Sequence, residues 1–490
     1  MHGVVASFTV GSTTTIVGLI TIPLAIKYVG AAQYGVWLAL SAGALLLYYS
    51  DLGIGVAIVH FAARYRATAE GFTPGQLLSS AVGVVSVIWL ALTAIVVGVL
   101  AALYSVGYFA DLESAQSILV IVALLVLVSG FLTKPFETML IGAGGFVTDR
   151  QLKFCGTVVK LSGTLVVCFY YPSVGLLALV EVVAMVLPGV FAAAIVSRRI
   201  ARVRRADMSR HTVTTLWSYS YKRFAVDSIG AAILQVGTVI VAVVASPSAV
   251  SYFSAAFRLY SGIRQVVTWV VDPFRTILSK LWVEGRDAFT HVVLSFSLLV
   301  TCVSWVGCGI AIVLAPALTP LWLGSDSVSY NVAGMVSALC AALMINVLHI
   351  PLNAATDAAH RPGVFLVPQL AWLTLYFAFS ILLGAEYRGL GVSVSMALSI
   401  VVVEPVYLYV AQRTLGFRIR SWVGTVFLPA ALLVLPVLTS AVLVARLTGG
   451  ALVWSILAAG GLVAWIVILA FVLRSRPIVA DIRKTLGHAL

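Results

Sequence analysis

Apolar runs of about 20 residues recur from one end of this chain to the other, separated by short polar breaks. That is the length a helix needs to cross the hydrocarbon core of a bilayer. Lipid offers no partner for backbone N–H and C=O groups, so such runs must be helical. Barrel strands would alternate apolar and polar residues, and these runs do not. Charged residues make up 10% of the chain and hydrophobic ones 61%, against about 25% charged in a soluble domain. The fold class is an all-α integral membrane protein. Spans are predicted at 4–26, 34–59, 77–104, 117–141, 154–171, 173–197, 224–245, 252–282, 291–318, 331–354, 364–384, 391–411, 423–445 and 451–473, about fourteen in all.

The positive-inside rule orients them. Most of the 30 Lys and Arg fall in loops that follow even-numbered spans or after the last span, and only Lys27, Arg388 and Arg446 fall on the opposite side. A multi-pass membrane protein with both termini in the cytoplasm is expected. This asymmetry accounts for most of the +13 net charge, so the basic balance does not argue for nucleic acid. The run Ser197-Arg-Arg-Ile-Ala-Arg-Val-Arg-Arg reads as a topogenic linker, or as a grip on anionic lipid headgroups. Trp37, Trp217, Trp282, Trp322 and Trp422 near span ends are expected to anchor at the interface. Val4 to Ile26 is long enough to span and lacks a basic leader, so it reads as a span and not as a cleaved signal peptide. The bare start Met1-His2-Gly3 is expected to reflect a shortened N-terminus. Cys155, Cys168, Cys302, Cys308 and Cys340 lie in apolar runs without ligand spacing and read as packing residues. The histidines form no cluster. No metal or cofactor is expected.

An internal repeat accompanies this pattern. Tyr34-Gly-Val-Trp-Leu-Ala-Leu-Ser-Ala-Gly opens the second span, and Tyr252-Phe-Ser-Ala-Ala-Phe-Arg-Leu-Tyr-Ser-Gly opens the eighth, 218 residues later. Six spans return the chain to the same side, so the repeats are parallel, related by an axis along the membrane normal. The expected division is a first lobe at 1–197, a basic cytoplasmic linker at 198–223, a second lobe at 224–412, and two further spans with a tail at 413–490.

At these residues the chain resembles a known family. Pro23-Leu-Ala-Ile-Lys-Tyr-Val-Gly-Ala-Ala-Gln-Tyr-Gly-Val-Trp, followed by Ser50-Asp-Leu-Gly-Ile-Gly, is similar to the opening of bacterial polysaccharide exporters (flippases of the O-antigen type). These belong to the multidrug/oligosaccharidyl-lipid/polysaccharide exporter superfamily. Tyr252 to Tyr260 matches the equivalent point of their second half. The resemblance implies two six-helix lobes around a central cavity plus two peripheral C-terminal helices. It also implies a flippase that carries undecaprenyl-pyrophosphate-linked oligosaccharides to the outer leaflet. Membrane lipids, a polysaccharide polymerase and a chain-length regulator are the implied partners.

Ionisable groups inside spans are costly and mark candidate sites. Arg258 lies about 9 Å and Arg264 about 18 Å into the eighth span, on faces about 240° apart. Guanidinium matches phosphate oxygens bidentately, so the pair reads as a pyrophosphate contact or as an internal salt bridge. Lys134 reads as a further contact for the anionic substrate, or as a partner of Glu137 three residues on. Lys160, about 10 Å from the predicted inner end of its span, reads as a substrate contact or as a snorkelling side chain. Glu404 precedes Pro405 in the twelfth span, a place for a kink. With Glu181 it is a candidate for H+ or Na+ coupling, the alternative being internal ion pairs. Asp51 sits beside two glycines that favour a bend. Asp227 and Asp272 sit near inner interfaces, and Asn353 and Asp357 at a solvated inner end.

Many spans, short loops and buried charges favour a transporter working by ion-coupled alternating access. A membrane glycosyltransferase or polymerase would carry a sizeable outer loop with catalytic carboxylates, and the outer loops here are about a dozen residues or fewer. A multidrug or cation antiporter of the same superfamily would need an acidic cavity, whereas Arg258 and Arg264 suit an anionic substrate.

Overall fold

The computed structural model describes residues 2–48, 53–109, 112–361, 363–447 and 452–474. Ser50, Asp51 and the tail at 475–490 lie outside the described residues, as do the side chains of Asp227 and Asp272. Among the described residues the chain is helical without strands. Ten helices among the described residues are long and apolar enough to cross a membrane, with shorter apolar helices at Ala31–Leu46 and Leu452–Trp465. That measure does not by itself establish fourteen spans. One of the ten, Leu366–Leu415, runs through two predicted spans.

Contacts divide the chain into two compact units, Met1–Ser251 and Tyr252–Leu490. The first contains α1 (His2–Tyr28), α2 (Ala31–Tyr48), α3 (Ile54–Thr68), α4 (Pro74–Ser105), α5 (Ser114–Ser129), α6 (Lys134–Gly142), α7 (Phe146–Tyr170), α8 (Val174–Arg199) and α9 (Arg210–Val244). Helix α8 packs on α5 and α7, and α7 on α1. Helix α9 is longer than its predicted span and takes in part of the basic linker. It packs on α2, α3 and α4, so contacts group it with the first unit. The Tyr34-Gly35 motif has a steric reason. A Cβ at Gly35 would overlap the Pro247 carbonyl, so only glycine allows this approach. Nearby, Ser251 Oγ donates to the Ala31 carbonyl at 2.7 Å.

The second unit continues with α10 (Pro247–Glu284), α11 (Arg286–Leu323), α12 (Asp326–Ser329), α13 (Val332–Asn346), α14 (Ile350–Ala358), α15 (Leu366–Leu415), α16 (Ile419–Trp422), α17 (Leu428–Leu447) and α18 (Leu452–Arg474). Helix α13 packs on both α11 and α15, while α17 and α18 pack on each other and on α11. Within α15 the two predicted spans meet at Arg388, whose φ of 52° and ψ of −132° break the helix. Gly391 makes the reversal possible, since a Cβ there would overlap the Leu383 carbonyl.

Two predicted spans are broken in matching places. The fourth passes through a 3₁₀ turn at Gly130–Thr133 before α6, which has Pro135 in its first turn. The tenth breaks between α13 and α14, which has Pro351 in its first turn. Proline is accepted there because the first N–H groups of a helix lack partners anyway. The two prolines are 216 residues apart, close to the 218 of the sequence repeat. Interrupted spans at corresponding positions of two repeats are where transporters of several folds build their sites.

Candidate functional site

In the first unit the predicted site residues gather into two groups. Lys160 Nζ lies 2.8 Å from Glu181 Oε1, and Trp37 Nε1 donates to Glu181 Oε2 at 2.6 Å. Both carboxylate oxygens are thus satisfied. Trp37 is 1% exposed, so it is a buried donor and not the interfacial anchor expected of it. Trp422, also 1% exposed, is buried as well. Lys160 lies farther from the start of its helix than predicted, because α7 begins at Phe146, eight residues before the predicted span. It meets a carboxylate there and does not need the headgroups. The pairing had a legible signal. Lys160 lies ten residues before the end of α7 and Glu181 seven after the start of α8. An antiparallel hairpin brings such positions to similar depth.

The second group lies at the broken fourth span. Glu137 Oε2 is 3.5 Å from Lys153 Nζ, which lies 2.9 Å from Asp149 Oδ1. Thr133 Oγ1 donates to Glu137 Oε1 at 3.4 Å. Arg150 Nε lies 3.7 Å from Asp149 and its guanidinium stands over Phe146. Lys134 Nζ stands 5.3 Å from the centre of the Phe131 ring. Gly189 of α8 admits this group, since a Cβ would collide with Thr133 and Glu137.

In the second unit, α10 carries Arg258, Tyr260 and Arg264. Tyr260 is 1% exposed. The Nε of Arg264 is buried without a hydrogen-bond partner. Its charge lies within electrostatic range of the hydroxyls of Tyr260 and Tyr407. Glu404 is buried on α15, and its Oε2 lies 2.7 Å from His349 Nδ1, in the break of the tenth span. The imidazole stacks flat on Tyr407, with centroids 3.8 Å apart and planes 1° apart. Arg275 bonds Asp357, so Asp357 has a protein partner as well as solvent.

His349 and Tyr407 were not singled out from the sequence. An ionisable residue inside an apolar span, Asn346-Val-Leu-His349-Ile-Pro351, was the available signal. Its meeting with Glu404 was not legible, because they are 55 residues apart on different helices. Among the described residues no three His, Cys, Asp or Glu side chains form a group fit to hold a metal ion. The chemistry available is that of half-buried cations for an anion and of a buried acid–imidazole pair for a proton.

Residues 1–272 match a family described as polysaccharide biosynthesis protein. No curated protein matches the sequence. Among solved structures, a lipid II flippase MurJ in an inward closed conformation aligns with a TM-score of 0.71 at 14% identity, covering 96% of this chain and 98% of that one. An inward-facing multidrug resistance MATE family transporter of the MOP superfamily aligns with a TM-score of 0.57 at 14% identity, covering 84% and 94%. A MOP superfamily transporter from Pyrococcus furiosus, described as having a binding pocket of reverse polarity, aligns at 0.57 and 15%, covering 85% and 96%.

Proposed function

The chain belongs to the polysaccharide biosynthesis protein family, and from that premise we propose that it flips polyprenyl-pyrophosphate-linked oligosaccharide from the cytoplasmic to the outer leaflet. The observation that carries this reading is Arg264, a half-buried cation in the predicted eighth span whose Nε is buried without a hydrogen-bond partner. A guanidinium kept at that cost suits an anion that arrives from elsewhere. Arg258 on the same helix, Lys134 and Lys160 complete the cationic set. Lys160 already faces Glu181, so α10 is the stronger substrate-binding element.

The remaining features follow the same reading. Transport proceeds by alternating access. Glu404 or Glu181 couples the cycle to H+ or Na+, with Glu404 favoured because one of its oxygens is buried without a partner. Both termini lie in the cytoplasm and the protein resides in the inner membrane. It acts as a transporter and not as an enzyme, alongside a polymerase and a chain-length regulator. Likeness to MATE transporters supports a second reading, multidrug antiport. The two half-buried arginines of α10 weigh against a cationic cargo.

Vesicles holding the purified protein and a fluorescent polyprenyl-pyrophosphate-linked sugar test the reading. Arg264→Ala should slow flipping tenfold or more, as expected when a charged hydrogen bond worth about 1.5–3 kcal/mol is removed. Arg264→Lys should recover part of it, keeping charge without the fork geometry. Wild-type flipping by an Arg258→Ala/Arg264→Ala variant at normal protein level would sink the claim.

A further inference from the structure

Glu404 and His349 meet where the tenth span is broken, and their contact has the chemistry of a proton site. Nδ1 stands 2.7 Å from Oε2. Two bare lone pairs do not approach so closely, so a proton lies between them. His349 is 3% exposed and Glu404 4%. The other carboxylate oxygen, Oε1, is buried with no hydrogen-bond partner. Tyr407 holds the imidazole by flat stacking, and Phe365 lies 5.4 Å from Tyr407.

Tyr407 is in electrostatic range of Glu404 and of Arg264, and further ionisable groups stand on the elements of this unit. From α10 come Arg264 and Tyr260, with Arg264 in range of Tyr407. On α14, Asp357 is bound to Arg275. Helix α13 carries Cys340 and α11 carries Cys308, both buried thiols. On α15 itself are Tyr376 and Tyr407, and Arg420 of α16 is exposed.

Resting on the transporter reading above, we propose that His349 and Glu404 form a proton-binding site within the second unit, and that the coupling ion exchanged there is H+ and not Na+. A hard cation such as sodium asks for several oxygen ligands. Here one carboxylate oxygen is committed to a nitrogen donor, and an imidazole N–H cannot ligate a cation. A proton needs only one free basic atom. Oε1 supplies it: the incoming proton forms an O–H bond at Oε1 while Nδ1–H stays donated to Oε2. Release breaks that O–H bond and returns the proton to water. The break between α13 and α14 leaves the ring on a short non-α-helical stretch, where a small rotation can change which side supplies the proton.

Infrared titration of the full-length protein in lipid nanodiscs, without any glycan, reads this directly. The expected result is a carboxylic C=O band that grows as pH falls and is absent in Glu404→Gln. His349→Gln should displace its midpoint by about one pH unit or more. Exchanging potassium chloride for sodium chloride should leave it unmoved. A band that survives Glu404→Gln, a midpoint indifferent to His349→Gln, or a midpoint displaced by sodium overturns the proposal. The sodium comparison needs only the wild-type chain, so it decides even if a variant fails to fold. An intact band without vesicle flipping discards the flippase reading and keeps the proton site. Flipping without the band discards the site and keeps the flippase.

Discussion

Glu181 and Glu404 are both acids in apolar surroundings, yet they differ atom by atom. Both oxygens of Glu181 are occupied, by Lys160 and by Trp37. Glu404 has one oxygen bound to His349 and one buried without a partner. The first arrangement is closed, and the second is left able to change. Removing one member of a closed pair strands the other. Glu181→Gln is therefore expected to lower stability by about 2 kcal/mol, read as an earlier melting transition in detergent. Lys160→Met combined with Glu181→Gln should recover most of the loss. The amide still accepts from Trp37, and the stranded ammonium is gone. An additive result in the double variant would refute the pairing. The pairing of Lys160 with Glu181 had a signal in the hairpin of the fifth and sixth spans, whereas that of Glu404 with His349 had none, because they lie 55 residues apart on different helices. Asp51, Asp227 and Asp272 cannot be placed in either pattern, since their side chains fall outside the described residues.

At the scale of elements, hydropathy found the helices and backbone chemistry decided where they break. The predicted spans over α1, α4 and α8 agree with the structure to within a few residues. The broken fourth and tenth spans are predicted as continuous, although Pro135 stands between Lys134 and Glu137 and Pro351 follows His349, a proline at a polar dip being the available signal. The predicted second span is replaced by α2 and α3, with 49–52 between them outside the described residues. Steric chemistry gives a sharp test at the reversal within α15. Gly391→Ala places a methyl group into the Leu383 carbonyl. Overpacking of this kind costs typically 1–3 kcal/mol, so the variant should melt earlier than wild type. Gly460→Ala in α18 meets nothing within 4 Å and should melt no earlier, since alanine favours helix over glycine. Equal melting of the two variants would show that the tight reversal is not formed.

For the whole molecule, orientation rests on where the basic residues fall. Arg205 lies in an exposed 3₁₀ turn before α9, and Asp326 begins the short exposed helix after α11. A reporter fused at Arg205 should read as cytoplasmic and one at Asp326 as external; the reverse at either position would overturn the orientation. The sequence repeat has its structural counterpart in the two broken spans, a correspondence that neither half reveals alone. Helix α9 carries a mechanical consequence of its own. It is one uninterrupted rod of 35 residues, about 52 Å long at 1.5 Å per residue, against a hydrocarbon thickness of about 30 Å. A stiff shaft longer than the layer it pierces works as a lever. A push or twist on its arginine-bearing end would be delivered along the whole helix without a slack joint to absorb it.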